Sequence, residues 1–275
     1  MTPIENHDYV QDFLGTKEYF RYANPRLRYQ IDPKFPNSLK RDENYFEWID
    51  ILESVASARK TYTFVEVGAG YGRWSARAYR AAKHFGFSDE NITLITIEPE
   101  PLHSSYLKEH FAMNDIPLIS SQHYQVAVSD HEEAANLFHV RPNRDPNAES
   151  YEWYGQAIAY SEWENAKYTP IQVHRLSKIL NRFSNRTIDL VNFDIQGEEP
   201  RVLRDIQGLL SNIRNIRIGT NSREDEDFIR QFFVINGWKK TRDYKGQGLR
   251  RTYVGKVSFL DGVLTYTNTG KQQVP

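Results

Sequence analysis

The segment TFVEVGAGYGRW, Thr63 to Trp74, sets out a strand, a tight turn and the start of a helix. TFVEV suits a strand buried on both faces, and Gly68, Gly70 and Gly72 follow at alternate positions. Glycine there lets the backbone turn sharply and come close to a ligand, and the following helix presents free N–H groups at its start. A ligand is therefore expected at the carboxyl end of this strand.

The spacing separates two cofactors. A dinucleotide fingerprint is GxGxxG, with its third glycine inside the helix; here the pattern is GxGxG, with Tyr71 inside it and Arg73 and Trp74 after it. Glu66 lies in the strand, two residues before the first glycine. A carboxylate there suits the amino group and sulfonium of S-adenosylmethionine and would repel a pyrophosphate. The next strand, LITIEPE, ends in Glu98, where a carboxylate can accept both ribose hydroxyls of an adenosine. Structural readings stand beside these: Glu66 could pair with Arg73, and Glu98 could cap the helix beginning near Pro99.

Outward from the loop, strand and helix patterns alternate, as a parallel sheet with crossover helices requires. Strands are expected at Thr63 to Val67, Thr93 to Ile97, His123 to Val126, Leu190 to Ile195 and Asn215 to Ile218. Helices are expected at Trp74 to Phe85, Leu102 to Asn114, Glu199 to Ser211 and Glu224 to Asn236. Upstream, Tyr45, Trp48, Ile49, Leu52, Val55 and Ala56 recur at helical spacing between Arg41 and Arg59. Residues 1–40, with Pro25, Pro33 and Pro36, read as an N-terminal arm or lid, and residues 41–275 as one domain. Within it the alternation lapses at about 131–170, an insertion rich in turn formers and aromatics, including Tyr151, Trp153, Tyr154, Tyr160 and Trp163. Such an insertion is either a substrate loop or an aromatic patch that packs itself down. The tail, Thr252 to Asn268, alternates apolar and polar residues around Asp261 and Gly262, as a terminal antiparallel hairpin would.

Of the 275 residues, 39% are hydrophobic and 26% charged, enough to build a core and unlike a disordered chain. The net charge of −1 gives no field that would draw the protein onto nucleic acid. There is no cysteine, which excludes disulfide frameworks and thiolate metal sites. No apolar run approaches the roughly 20 residues that span a bilayer. Neither a nucleic-acid nor a membrane partner is expected, and a cytoplasmic location fits.

Three blocks carry a family resemblance: VEVGAGYGRWS (Val65 to Ser75), EPEP (Glu98 to Pro101) and DLVNFDIQGEEPRVL (Asp189 to Leu203). Over about Phe64 to Asn268 the chain resembles the FkbM family of S-adenosylmethionine-dependent O-methyltransferases. The resemblance implies a class I methyltransferase fold: an α/β, Rossmann-like, doubly wound and mostly parallel sheet. It also implies that QVAVSD, with Gln125 and Ala127, approaches the adenine. Two positions depart from the family pattern: Asn192 or Phe193 stands where lysine is frequent, and Gln196 where glutamate is.

Methyl transfer from a sulfonium is an in-line displacement, so the protein must hold an acceptor oxygen close to the methyl group and remove its proton. Asp194, at the end of LVNFDI, is expected to face the donor; Glu199 and His174 are the other candidate catalytic groups. Glu199 could equally stabilise the start of its helix. If a divalent cation such as Mg takes part, Asp194 and Glu199 are its candidate ligands. The expected reaction is O-methylation of a sugar, glycan or glycosylated small molecule, with Tyr151, Trp153 and Tyr154 stacking on the acceptor. The alternatives are a non-catalytic binding protein, suggested by Gln196, and a nicotinamide-dependent oxidoreductase.

Overall fold

The computed structural model describes residues 9–22, 41–139, 156–160, 168–220 and 222–271. In chain order its elements are β1 (Tyr9–Gln11), β2 (Lys17–Tyr19), α1 (Glu43–Ser57), β3 (Tyr62–Val67), α2 (Arg73–His84), β4 (Ile92–Ile97) and α3 (Pro101–Met113). Then follow β5 (Ser121–Tyr124), β6 (Ala127–Ser129), β7 (Glu133–His139), β8 (Gln156–Ile158), β9 (Tyr168–Arg175), α4 (Leu176–Leu180), β10 (Leu190–Phe193) and α5 (Glu199–Asp205). The last are β11 (Asn215–Thr220), α6 (Arg223–Ile235), β12 (Lys239–Tyr244), β13 (Gly248–Thr252), β14 (Gly255–Phe259) and β15 (Gly262–Thr267).

The central sheet runs β12-β15-β11-β10-β3-β4-β5, and β15 is antiparallel to both of its neighbours. This is the class I methyltransferase arrangement, doubly wound about β3. Alternation explains the layers. Phe64, Leu94 and Leu190 point to one face, where they meet Trp48 and Ile51 of α1 and Trp74, Ala78 and Ala82 of α2. Val65, Ile97, Val191, Phe193 and Ile218 point to the other and meet Leu180, Val202, Leu203 and Phe233 of α4, α5 and α6.

On the first face the apolar core gives way, near the carboxyl ends of the strands, to a row of polar side chains. Strand register places His123, Thr96, Glu66, Asn192, Arg217, Thr265 and Arg242 on seven successive strands. Such a row is tolerable under a helical layer only if that layer supplies partners. Helix α1 does so. Glu47 meets the Arg217 Nη1 at 2.7 Å, Asp50 pairs with Arg242 and accepts from Thr265 Oγ1 at 2.9 Å, and Glu53 accepts from Arg242 Nη2 at 2.7 Å.

This pairing corrects the sequence reading of α1. Its buried face is Phe46, Trp48, Asp50, Ile51, Ser54 and Val55, whereas Ala56 is exposed and Tyr45, Ile49 and Leu52 are half-buried. Two arginines in the sheet turn the helix so that acids face inward. The insertion is also more regular than expected: β6, β9, β7 and β8 form a second, four-stranded sheet. The C-terminal antiparallel hairpin is present as β13–β14, turning between Thr252 and Gly255. Asp261 and Gly262 do not close a hairpin; they lead into β15, which inserts between β11 and β12. Of the N-terminal arm, residues 9–22 are described, as a β1–β2 hairpin.

Among the described residues no helix is long and apolar enough to cross a membrane. Arg242→Met should strand the buried carboxylate of Asp50 and lower the unfolding free energy by about 3 kcal/mol. Urea unfolding at neutral pH, read as a lower midpoint with an unchanged slope, checks this.

Candidate functional site

The glycine turn is held at both ends. The N–H groups of Gly68 and Ala69 donate to the Ile97 carbonyl at 3.0 Å, and the Gly70 N–H donates to Glu98 Oε2 at 2.7 Å. A Cβ on Gly68, whose φ is +81°, would collide with the Asp194 carbonyl oxygen, and Asp194 N–H donates to the Val67 carbonyl at 3.0 Å. The turn, Glu98 and Asp194 are therefore one assembly at the carboxyl ends of β3, β4 and β10. Glu98 also accepts from the Glu100 N–H at 2.9 Å; the cap of α3 is Glu100, which accepts from the His103 N–H at 2.7 Å.

Glu66 does not pair with Arg73 and turns toward the start of α2. It accepts from the N–H groups of Trp74 at 3.2 Å and Ser75 at 2.9 Å, and from Ser75 Oγ at 2.5 Å. The helix needs this. Its N-cap, Gly72, is left-handed and has no side chain to cap the first turn, so a carboxylate from the preceding strand satisfies donors that a serine or aspartate otherwise would. Burial pushes the Glu66 carboxyl up to about 8, against the pull of the Ser75 and Trp74 donors.

Tyr71 is part of the loop, but its side chain points away from the strand ends. Its hydroxyl pairs with Glu18 of β2, and the Tyr22 ring stacks on it at 5.2 Å. Burial would raise Glu18, yet Arg73, Arg77 and the Tyr71 hydrogen bond hold it down at about 2. The His110 ring lies between the carbonyl oxygens of Tyr71 (3.0 Å) and Lys17 (2.9 Å), and Asn114 exchanges hydrogen bonds with the Lys17 backbone. The described part of the arm is thus a clamp on the back of the glycine loop.

Asp194 is exposed, just past the carboxyl end of β10. The protein atoms around it keep water back and raise its carboxyl above the ordinary aspartate range, while Arg217 and the hydrogen bond from Gln196 pull it back. Gln196 Nε2 donates to Asp194 Oδ1 at 2.9 Å from a left-handed backbone with φ of 54°. The glutamine that departs from the family pattern therefore orients Asp194, where a glutamate would repel it.

Glu199 is buried. Its oxygens accept from the N–H groups of Ile195 at 3.0 Å and Gly197 at 2.9 Å, so it braces the turn that carries Asp194 instead of facing an acceptor. Among the described residues no group of three or more histidine or acidic side chains is placed to hold a metal ion, and both Glu199 oxygens are taken by backbone N–H groups. His174 lies on the smaller sheet, paired with Val128 and near Glu132, away from Asp194. Ala127 is buried in the core of that sheet with Ile171 and Val173. Gln125 lines a cavity of about 410 Å³ with Pro99, Ala135, Asn136, Ile171 and Gln172, next to Glu98. Tyr151, Trp153, Tyr154 and Trp163 lie outside the described residues. Tyr160 is described: its hydroxyl donates to Glu198 at 2.6 Å, and Arg201 stacks over its ring.

Sequence reasoning missed Arg217 and Glu47. Arg217 Nη1 also donates to Asn192 Oδ1 at 3.0 Å, bringing a cation beside the position where the family often has lysine. The available signal was a charge inside an apolar strand, NIRIGT. Burial pushes Glu47 up to about 7, against the attraction of Arg217 and helped by the repulsion of Asp194.

The model of the methyltransferase FkbM domain matches residues 66–245. A protein of Jannaschia sp. (strain CCS1), provisionally named a methyltransferase, is 27% identical over 277 residues, covering 94% of this chain and 91% of its own. Among solved structures, a methyltransferase FkbM from Methylobacillus flagellatus KT superposes with a TM-score of 0.48 at 14% identity, over 78% of this chain and 45% of that one. A precorrin-6y C5,15-methyltransferase from Geobacter metallireducens GS-15 gives 0.47 at 8% identity, over 86% of this chain and 95% of that one.

The raised Glu66 carboxyl makes a signed prediction. Between the ordinary glutamate value and about 8 the native state keeps a proton that the unfolded chain has lost, so this group's contribution to stability falls as pH rises through that window. Glu66→Gln removes the titration. Its unfolding free energy relative to the parent should shift in the variant's favour from pH 5 to pH 8, by about 1.4 kcal/mol per pH unit at most, and level off above. Denaturant unfolding of both proteins across that range is the measurement.

Proposed function

From the premise that the chain belongs to the FkbM methyltransferase domain family, we propose that it binds S-adenosylmethionine and methylates a hydroxyl of a sugar, glycan or glycosylated small molecule. The observation that carries this reading is the assembly of glycine turn, Glu98 and Asp194, joined by direct hydrogen bonds at three adjacent strand ends.

The donor set fits the cofactor. Glu98 and Asp194 put carboxylates on both sides of the turn, which favours a sulfonium and its ammonium group over a pyrophosphate. Glu98 receives three donors from the protein, from Gly70, Glu100 and His103, and its position at the end of β4 suits ribose hydroxyls. The adjoining cavity has apolar walls in Pro99 and Ile171, with carboxamides at Gln125, Asn136 and Gln172. A flat purine stacks on such walls, and a carboxamide matches the paired donor and acceptor of its edge.

When bound, S-adenosylmethionine supplies a methyl group whose bond to sulfur breaks, the electron pair returning to sulfur, as the acceptor oxygen bonds to carbon. Asp194 takes the hydroxyl proton. Its affinity for a proton is raised by the water kept from it, and Gln196 keeps one carboxylate oxygen fixed while the other stays available. Glu199 contributes by holding the turn. The donation from Gln196 to Asp194 favours a working site over a non-catalytic pocket.

Calorimetry with S-adenosylhomocysteine and with NAD should show binding of the first alone. Labelled S-adenosylmethionine with a panel of nucleotide sugars and glycosides should show transfer to oxygen. Asp194→Asn should lower turnover by about 100-fold or more while S-adenosylhomocysteine affinity stays within a few-fold. Loss of affinity in parallel with turnover would mean that Asp194 holds the cofactor and is not the base.

A further inference from the structure

Beyond Asp194, on the side away from Glu98, strand β11 carries one residue before its end a glycine whose backbone does not require one. Gly219 is buried, pairs regularly with Val263 and has no positive φ. A glycine inside a strand weakens it, and where the backbone gives no cause the usual one is that something must approach closely. A Cβ built on Gly219 meets no clash. Its neighbours are the Phe193 carbonyl oxygen at 3.6 Å, Arg217 Nη1 at 3.8 Å and Asp194 Cγ at 3.8 Å. The missing side chain therefore leaves a space whose walls are the Arg217 guanidinium and the Asp194 carboxyl.

The chemistry of those walls is specific. Arg217 Nη1 uses its two N–H groups on Glu47 and Asn192 and Nε is buried, so Nη2, which makes no hydrogen bond among the described residues, is the donor left to a ligand. Glu47 at 2.7 Å, when ionised, offsets the arginine's charge, so Arg217 offers N–H donors to a neutral group more readily than surplus charge to an anion. Opposite it, Asp194 offers an acceptor: Oδ1 is held by Gln196, and Oδ2 makes no hydrogen bond among the described residues. In the sheet order β11-β10-β3-β4, Asp194 follows β10 and so stands between Glu98, after β4, and Gly219 of β11. The cofactor side thus lies toward Glu98 and the other side toward Gly219.

We propose that the space above Gly219, between Asp194 and the Arg217–Glu47 pair, is the acceptor subsite, and that it takes a neutral vicinal diol. The reacting hydroxyl donates to Asp194 Oδ2, and the neighbouring hydroxyl oxygen accepts from Arg217 Nη2. Gly219 is then a specificity-determining residue, because any side chain there occupies the acceptor's place. The inference rests on the methyl-transfer reading and names the chemistry of its acceptor.

Saturation-transfer NMR of the protein saturated with S-adenosylhomocysteine tests it, with methyl glycosides of glucose, mannose, galactose and rhamnose and their monodeoxy analogues as probes. At least one diol-bearing glycoside should show saturation transfer, and its analogue lacking one of the two hydroxyls should show at least fivefold less. Gly219→Val suits a strand and should remove the signal by at least fivefold, while S-adenosylhomocysteine affinity changes by less than twofold; Gly219→Ala should fall between. Equal signals on Gly219→Val and the parent, equal signals from diols and monodeoxy analogues, or no signal from any glycoside on the parent complex would each overturn the subsite. Failure of the parent to bind S-adenosylhomocysteine would instead overturn the methyl-transfer reading, so the two failures are distinguishable. Should Gly219→Val lose S-adenosylhomocysteine binding, the space belongs to the cofactor and the proposal is wrong.

Discussion

A sheet that buries charge must be met by a layer that answers it, and this constraint organises the protein. Seven strands place polar side chains at one level, from His123 to Arg242, and the covering helices are chosen and oriented to satisfy them. Glu47, Asp50 and Glu53 of α1 meet the two arginines, and the start of α2 meets Glu66. Breaking one partner leaves a buried charge, which costs far more than the pair contributes when whole. Such a row fixes the helices against the sheet to within a hydrogen bond's tolerance. A purely apolar interface would allow them to slide.

The same row explains the chemistry above it. Glu66 is used up in holding α2, so the glycine turn that precedes the helix is fixed from below. The β1–β2 hairpin fixes it from behind through Glu18, Tyr71 and His110. Of the acids around the turn, Asp194 stays exposed, while Glu98 is buried and holds the Gly70 N–H. Functional groups are precise when their supports are themselves hydrogen-bonded, and here nearly every support is a buried carboxylate.

What could be read from the sequence was what is local. The glycine turn, Glu98 and the Asp194 turn each declare themselves within a dozen residues, because backbone geometry imposes them there. The face of α1 could not be read that way. The partners of its acids lie far along the chain, 192 residues between Asp50 and Arg242, so hydrophobic periodicity, which counts Ala56 in the apolar face, carries no signal for Asp50. The smaller sheet was hidden because β6 and β8 are only three residues long and the sequence between β7 and β9 is rich in turn formers, which reads as a loop. The role of Glu199 was ambiguous for another reason: a carboxylate after a turn can bind a ligand or its own backbone, and only the coordinates show both oxygens on Ile195 and Gly197.

The insertion of β15 between β11 and β12 bears on how the chain reaches its native state. Both flanking strands precede it in sequence, so until residues 262–267 arrive each keeps an open hydrogen-bonding edge. Asp50 likewise waits for Thr265, 215 residues away. Pairings of such span raise the contact order and slow folding, and unfilled edges invite pairing with other chains in the meantime. The strand that completes the sheet thus makes the closing of this fold a late event, and its vulnerable period is the interval before that strand docks.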